Sequence, residues 1–158
     1  MAIAMTAASL EVLAVNTYDA ALGAATQGAI GEVPPAVAEF ATTAKSHHEA
    51  HRQAWNGLLT SLGQQEVTTT PPSLQSTVDQ MLGQVKDVTG VAELALTLEQ
   101  VAADTYFSVI PKIENAEALR LATTIQPIDM QHVAVLRYVM GEYPVPDTFA
   151  DAEDAFTG

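Results

Sequence analysis

The sequence predicts an all-α protein, a four-helix bundle whose long central connection carries one further short helix. Apolar residues recur at every third or fourth position through four long stretches, which is the periodicity of a helix with one buried face. No stretch alternates polar and apolar residues as a half-buried strand does. Most of the glycines and prolines fall between these stretches, and 158 residues are enough for one domain with a sizeable core.

The first two predicted helices form a hairpin. The first helix covers residues 2–27 and ends at a segment with two glycines. A Pro-Pro pair follows, and proline is suited to the first turn of a helix because its φ is already helical. The second helix should therefore run from about residue 35 to residue 62 and stop near Gly63.

A long connection separates this hairpin from the second half of the chain. Residues 64–72 hold three threonines and two prolines, a composition typical of irregular structure. Ser73 should cap a short helix that ends near residue 85. The third long helix then spans roughly residues 90–110 and ends at Pro111, because proline cannot continue a helix.

The fourth long helix is predicted over about residues 114–140. Pro127 lies inside it and should kink or interrupt it just before Asp129, since proline lacks the amide hydrogen that the helix needs. We therefore assign residues 1–141 to the bundle. Residues 142–158 form an acidic, proline-containing C-terminal tail.

The charge balance and the absence of cysteine exclude several classes of function. The chain has six basic and 19 acidic residues, a net charge of −13, which excludes a nucleic-acid-binding surface. Five of the acids lie in the tail without a base, so we expect a solvated tail that contributes little to the core. Without cysteine there are no disulfides, thiolate metal sites or cysteine nucleophiles.

The sequence shows no membrane span and no visible targeting segment. No uncharged run is long and apolar enough for a membrane span. No basic residue precedes Lys45, so the positively charged start of a signal peptide is not seen. Charged residues make up only 16% of the chain. We favour export to the periplasm or cell envelope, with the signal removed, over a cytoplasmic location.

Three of the four histidines lie within residues 46–51, Ser-His-His-Glu-Ala-His, inside the second predicted helix. His48 and His51 are three residues apart and share one helix face, and the apolar spacing of the helix puts that face in the core. Buried imidazoles need partners. Two interpretations are open: hydrogen bonds to Glu11 and Glu99, or a bound metal ion.

An internal repeat relates the two halves of the chain. Residues 10–18, LEVLAVNTY, match residues 98–106, LEQVAADTY, in Leu-Glu, an alanine and Thr-Tyr at an offset of 88 residues. A polar pair three residues apart follows each copy on the next long helix, namely His48 with His51 and Asp129 with His132. The chain therefore reads as two helical hairpins, each with a glutamate on its first helix and a histidine-containing pair on its second.

Six polar side chains occupy core-facing positions of the four helices and form the predicted metal-ligand set. They are Glu11, His48, His51, Glu99, Asp129 and His132. Three buried carboxylates without compensation would be very costly or would be forced to protonate, and a divalent ion between carboxylates and imidazoles removes this cost. Four neighbours are candidates for supporting or redox roles, with core packing or, for His47, solvent exposure as the alternative: Tyr18, Tyr106, Trp55 and His47.

This layout resembles the ferritin-like superfamily, whose two-metal bundles carry a Glu on each of two helices and Glu-x-x-His on the other two. The resemblance covers about 140 residues and is to bacterial ferritin-like domain proteins, often exported, rather than to iron-storing cages. By position it implies Glu11 and Glu99 as terminal carboxylate ligands, and His51 and His132 as the histidine ligands. It also implies iron and an oxidoreductase role: oxidation of a bound metal, or reduction of peroxide or dioxygen.

Two positions depart from the family pattern. His48 and Asp129 stand where the family has bridging glutamates; an imidazole does not bridge two metals as a carboxylate does, and aspartate is one methylene shorter. We therefore expect one tightly held ion and a weaker second position, with more tendency to bind zinc or copper because the ligand set is richer in nitrogen. The alternative function is a structural or ligand-binding protein with an idle metal site. Homo-oligomers are compatible with the sequence.

Overall fold

Four long helices and one short helix make up the fold, as the sequence predicts. The computed structural model describes residues 1–157. The helices are α1 (Ala2–Thr26), α2 (Pro35–Ser61), α3 (Pro72–Leu82), α4 (Val88–Val109) and α5 (Ala116–Val139), with a 3-10 turn at Ile110–Lys112 after α4. This described part of the chain contains no β-strand, so the predicted all-α bundle is confirmed.

The bundle consists of two helical hairpins, α1 with α2 and α4 with α5, whose helices pack most extensively within each hairpin. The short helix α3 lies in the connection between them. Its Leu74 and Val78 pack against Leu13 of α1 and Leu94 of α4. α3 therefore covers one end of the groove between α1 and α4.

Side-chain caps and glycines set several helix ends. The carboxylate of Asp87 accepts a hydrogen bond from the Gly90 amide at 3.0 Å, and the Asn115 side chain accepts one from the Ala118 amide at 2.9 Å. Both bonds satisfy amides that have no partner inside the helix. After α2 the chain turns at Gly63, whose φ of +75° suits glycine because it has no Cβ.

The predicted Ser73 cap was wrong, and of the two effects predicted for Pro127, a kink or an interruption, the interruption does not occur. Ser73 does not cap α3, because the helix already begins at Pro72 after an N-cap residue without a side-chain bond; proline starts the first turn on its own. α5 is not interrupted at Pro127. Buried residues on both sides of the proline, such as Ile125 and Asp129, hold this helix in the core, and tertiary packing outweighs one lost backbone hydrogen bond.

The end of the C-terminal tail contacts the bundle, which differs from the expected wholly solvated segment. The amide of Asp154 donates to Asp104 Oδ2 at 3.0 Å, and the amide of Phe156 donates to Thr105 Oγ1 at 2.8 Å. Phe156 is half-buried. The division of the chain at residue 141 stays a prediction.

Two apolar clusters fill the bundle on either side of the polar core positions. One contains Trp55 and Tyr106 and the N-terminal part of α1. The other contains Tyr18, Leu136 and the N-terminal part of α4. Along each long helix the predicted ligand positions lie between residues of these two clusters. No helix within residues 1–157 combines the length and the apolar character needed to cross a membrane.

Candidate metal centre

The structure brings all six predicted ligands into one cluster in the middle of the bundle. Each long helix contributes: α1 and α4 supply one glutamate each, α2 supplies two histidines, and α5 supplies Asp129 and His132. Five of the six are at most 5% exposed, while His51 is half-buried. The spacing of three and four residues along each helix therefore identified the inward face correctly.

His48 lies between the two glutamates and contacts both. Its Nδ1 is 2.7 Å from Glu11 Oε2, and its Nε2 is 3.1 Å from Glu99 Oε1. Burial alone would lower the pKa of His48, but the carboxylates of Glu99 and Glu11 outweigh burial and raise this pKa well above its usual range. This pKa favours the protonated imidazole, in which both ring nitrogens can donate to the carboxylates.

The two tyrosines of the internal repeat hold the glutamates of the opposite hairpin. The Tyr18 hydroxyl donates to Glu99 Oε1 at 2.6 Å, and the Tyr106 hydroxyl donates to Glu11 Oε1 at 2.6 Å. Each Thr-Tyr motif therefore supports the Leu-Glu motif of the other copy. Burial first, and then the negative charge of the bonded glutamate, raises the pKa of each tyrosine, so both remain protonated donors.

Trp55 adds a further bond on one side of the cluster. Its indole N–H donates to the Tyr106 hydroxyl at 2.7 Å, and the two rings stack with centroids 6.2 Å apart. On the other side, Leu136 takes the position seven residues after Asp129 that Trp55 takes after His48, and it packs near Tyr18. The two halves of the site therefore have related ligand positions but differ in the residue beside each tyrosine.

His47 contacts the cluster from outside. Although His47 is exposed, its Nδ1 lies 3.0 Å from His132 Nε2, and the two rings stack with centroids 5.3 Å apart. The other ring nitrogen of His132, Nδ1, is 3.1 Å from Glu99 Oε2. Burial and the neighbouring His132 lower the pKa of His47. His47 is thus a bonded neighbour of His132 and not only a solvated side chain.

Asp129 and His51 are the two members of the cluster with unpartnered buried atoms. Both carboxylate oxygens of Asp129, which is 0% exposed, have no hydrogen-bond partner among the described residues. The Nδ1 atom of His51 is also unpartnered and lies 3.5 Å from Glu11 Oε2. A buried carboxyl group without partners is costly, and such atoms fit the donor set of a metal site.

The electrostatic environment lowers the pKa of two carboxyl groups of the cluster and raises that of the third. Burial alone would raise the pKa of Glu11, but the imidazoles of His48 and His51 outweigh burial and lower that pKa to about 2. The pKa of Glu99 is likewise lowered, by His48 and His132 against the effect of burial. Burial, and then the charge of Glu11, raises the pKa of Asp129 well above its usual range. Asp129 is therefore the carboxyl group whose ionised form is disfavoured, because the positive charge of His48 offsets burial and the charge of Glu11 only in part.

The donor atoms fall into two groups that share His48. One group contains a donor from each of His48, Glu99, Asp129 and His132, and the other contains one from each of Glu11, His48 and His51; within each group the donors lie within 4.8 Å of one another. Carboxylate oxygens and imidazole nitrogens are the usual ligands of iron, manganese and zinc. The cluster could therefore hold a metal ion.

An apolar cavity of about 60 Å³ lies beside the cluster. Tyr18, His48 and Glu99 form part of its wall, and almost all of the remaining wall consists of Leu, Val, Ala and Phe side chains from all five helices. Cavities with apolar walls stay dry and can admit small apolar molecules. The cluster thus has a polar side made by the four helices and an apolar side at this cavity.

Sequence reasoning missed two features of the site. The crossed pairing of tyrosines with glutamates was not predicted, because helix periodicity identifies the inward face but not which neighbouring helix a side chain meets. The contact of His47 with His132 was missed because His47 lies off the core-facing positions. The signal that was available for the crossed pairs is the repeat itself, which conserves Leu-Glu and Thr-Tyr together.

Comparison with known proteins supports one family. The model of a family described as "Ferritin-like domain" matches residues 1–142. No curated protein and no solved structure matches the chain. Because the family model covers most of the chain, the protein belongs to the ferritin-like domain family.

Proposed function

We propose that this ferritin-like protein binds a divalent transition metal ion in its bundle core and uses the ion in redox chemistry. The observation that carries the proposal is Asp129, whose two buried oxygens have no partner among the described residues. A donor atom of Asp129 lies within 4.8 Å of donor atoms of His48 on α2, Glu99 on α4 and His132 on its own helix. A divalent ion would supply the partner that these two oxygens lack.

The four-donor group is proposed to hold the tighter ion. His48, Glu99, Asp129 and His132 supply two carboxylates and two imidazoles, and two negative charges balance one divalent cation. All four are buried, so water competes little for the donor positions. Tyr18 holds Glu99 through its 2.6 Å bond, and such bonds to ligand side chains fix their orientation.

The second group is proposed to bind more weakly because it must share His48. A neutral imidazole has only one lone pair available to a metal. If Nε2 of His48 is used beside Glu99, its Nδ1 carries the hydrogen and donates to Glu11, 2.7 Å away. Glu11 and His51 are then the only donors of the second group, which is too few for tight binding.

The metal, when bound, would supply electrons or an electron acceptor for chemistry with dioxygen or peroxide, the reaction class that the family resemblance implies. The chain's own part is to hold the ion and to control access to it. The apolar cavity beside Glu99 and His48 favours a small apolar reactant such as dioxygen over the polar peroxide. Tyr106, Trp55 and Tyr18 would orient the glutamates and keep the site dry.

The family resemblance and the ligand set favour different metals. The family resemblance favours iron, whereas three imidazoles among six donors favour zinc or copper more than the usual carboxylate-rich site does. Titration of the metal-free protein with iron, manganese, zinc and copper will rank them. We expect one tight ion per chain, with a second ion bound far more weakly.

The redox role has its own test. Iron(II)-loaded protein is exposed to dioxygen, and the appearance of iron(III) is followed by absorbance with the same iron concentration in buffer as the control. We expect oxidation that is faster than in buffer but slower after His132→Ala. Tight metal binding with no acceleration would refute the redox role and leave a metal-binding protein.

A non-catalytic structural role is the second candidate, and one observation favours it. Glu11, Glu99, His48, Tyr18 and Tyr106 already satisfy one another through a continuous set of hydrogen bonds. Such a network can fix the packing of two hairpins without a metal. If no metal binds and His51→Ala leaves the free energy of unfolding unchanged, this second function replaces the first.

A further inference from the structure

A second cavity, of about 280 Å³, lies between the N-terminal part of α1 and the C-terminal end of α4. It includes none of the proposed metal ligands. Ala7 and Tyr106 form part of its inner wall, and Phe156 and Thr157 of the tail form part of its outer wall. Its volume is close to the lower end of small-molecule sites, about 300 Å³, and far above the space of one water.

The internal repeat explains why this space exists. At the other end of the groove between α1 and α4, the related residues Thr17, Tyr18 and Leu98 line the smaller cavity of about 60 Å³. Helix α3 covers that end with Leu74, Val78 and Leu82. No helix covers the end near Tyr106 in the described part of the chain. The tail lies there beside the 3-10 turn that carries Lys112, and the amide hydrogen bonds of Asp154 and Phe156 hold the tail to α4.

The free polar groups of the wall indicate the charge of an occupant. The hydroxyls of Thr105 and Ser108 already donate to backbone carbonyls. Lys112 lines the cavity at its solvent-exposed rim, and its ammonium group has no ion-pair partner within residues 1–157. No acidic side chain lines the cavity. The uncompensated group in a mostly apolar wall is therefore a cation.

We propose that this cavity binds a small organic anion, a carboxylate with a short apolar body. The carboxylate would pair with Lys112, and the apolar body would lie between Leu10 and Phe156. The Tyr106 hydroxyl donates to Glu11, so the bound molecule would lie one side chain from the candidate metal centre. Binding itself needs no metal, because the cavity contains none of the proposed ligands.

The test uses the full-length, metal-free protein and hexanoate as the probe, with 1-hexanol as the uncharged molecule of equal chain length. Calorimetric titration should show hexanoate binding in the millimolar range and weaker binding of 1-hexanol. Ser108→Trp places a large side chain in the cavity from a half-buried helix position. It should weaken the binding of hexanoate at least about tenfold, the loss expected when a well-packed contact site is removed.

Lys112→Met removes the cation while keeping a long side chain. It should weaken the binding of hexanoate by about twofold to fivefold, the range expected of a partly exposed ion pair, and leave the affinity for 1-hexanol unchanged. Lys86→Met is the matched control, since Lys86 is exposed on the chain and outside the cavity. Truncation after Phe149 removes the outer wall and should also weaken hexanoate.

Three results would overturn the proposal. Undetectable hexanoate binding to the wild-type protein would refute the cavity as a ligand site. Unchanged hexanoate binding in both Ser108→Trp and the truncated protein would put the probe elsewhere. Equal affinities for hexanoate in Lys112→Met and Lys86→Met would refute the preference for an anion. None of these results depends on whether the protein binds a metal.

Discussion

Asp129 is the residue that most clearly separates a metal site from an ordinary polar core. It is fully buried, and the other two carboxylates of the cluster already have imidazole partners. A side chain with this environment is expected to destabilise the metal-free protein and to be stabilised by a cation. A substitution that removes the carboxylate of Asp129 should therefore stabilise the metal-free protein and destabilise the metal-bound protein.

We predict that Asp129→Asn stabilises the metal-free protein by about 1 kcal/mol, because the isosteric amide cannot ionise at a position where burial disfavours an ionised carboxyl group. The same variant should lose the increase in stability that metal gives the wild type. Urea unfolding with and without metal measures both effects. Asp79→Asn is the control, since Asp79 is exposed; a destabilised metal-free Asp129→Asn protein would contradict this interpretation of Asp129.

The raised pKa of Asp129 predicts a pH dependence with a defined sign. The pKa of Asp129 in the folded protein lies above the ordinary 3.8. The folded protein is therefore most stable with respect to this group below about pH 4, where the carboxyl group is neutral in both the folded and the unfolded state. The free energy of unfolding falls as the pH rises from there towards the folded-state pKa, because the unfolded chain ionises first. The metal-free wild type should therefore lose stability relative to Asp129→Asn as the pH rises from about 4 to neutral. A constant difference in unfolding free energy across this range would contradict the assignment.

The crossed bonds between repeats couple the two hairpins. Tyr18 of the first hairpin holds Glu99 of the second, and Tyr106 holds Glu11 in return. Each bond joins a buried hydroxyl to a buried carboxylate, and removal of the donor leaves that charge with one partner fewer. The hairpins should therefore unfold together rather than one after the other.

We predict that Tyr106→Phe lowers the free energy of unfolding by about 2–3 kcal/mol, since it removes a bond to a charged group and also leaves the Trp55 N–H without its acceptor. Tyr18→Phe removes only one bond and should cost about 1.5–2 kcal/mol. Tyr138→Phe is the matched control, because Tyr138 is 72% exposed. Equal losses in all three variants would show that the hydroxyl bonds contribute nothing specific.

The C-terminal tail provides a second test at the level of elements. The sequence led us to expect that truncation after Phe149 would leave the melting temperature nearly unchanged. The contacts of Asp154 and Phe156 with α4 instead predict a loss of about 1–2 kcal/mol, from two hydrogen bonds and a half-buried aromatic ring. Thermal unfolding of the truncated protein will show which expectation holds.

The helices and the inward positions of the six polar residues could be predicted because both depend on local periodicity. Helix α5 shows the limit: Pro127 suggested an interruption, but burial of Ile125 and Asp129 around it keeps the helix continuous. The tail shows another limit, since its contacts with Asp104 and Thr105 follow no period. Contacts between distant elements depend on the whole packing arrangement, and a single sequence does not display that.

The molecule as a whole combines a strongly acidic surface with one buried group of acids and imidazoles. Its net charge of −13 attracts cations to the surface in general. Within residues 1–157, only the bundle core offers several dry donors within 4.8 Å of one another. The affinity of the core site for a metal ion should therefore change little when surface charges are removed and change strongly when the core residues are replaced. His48 is the residue whose change should alter the number of ions.

We predict that His48→Glu raises occupancy of the second metal position and increases the affinity for iron. A glutamate can bind two ions through its two oxygens, whereas a neutral imidazole has one lone pair. Titration with iron(II) under anaerobic conditions measures the stoichiometry. Two equally tight iron sites in the wild-type protein would show that His48 does not limit the second position.

The most direct test of the account is the metal content of protein purified without chelator or histidine tag, determined by elemental analysis for the wild type and Asp129→Asn side by side. The account predicts about one transition metal ion per wild-type chain, from the single four-donor group, and little or none in the variant. A metal-free wild type that also fails to bind added metal would contradict it, and so would equal metal content in the two proteins.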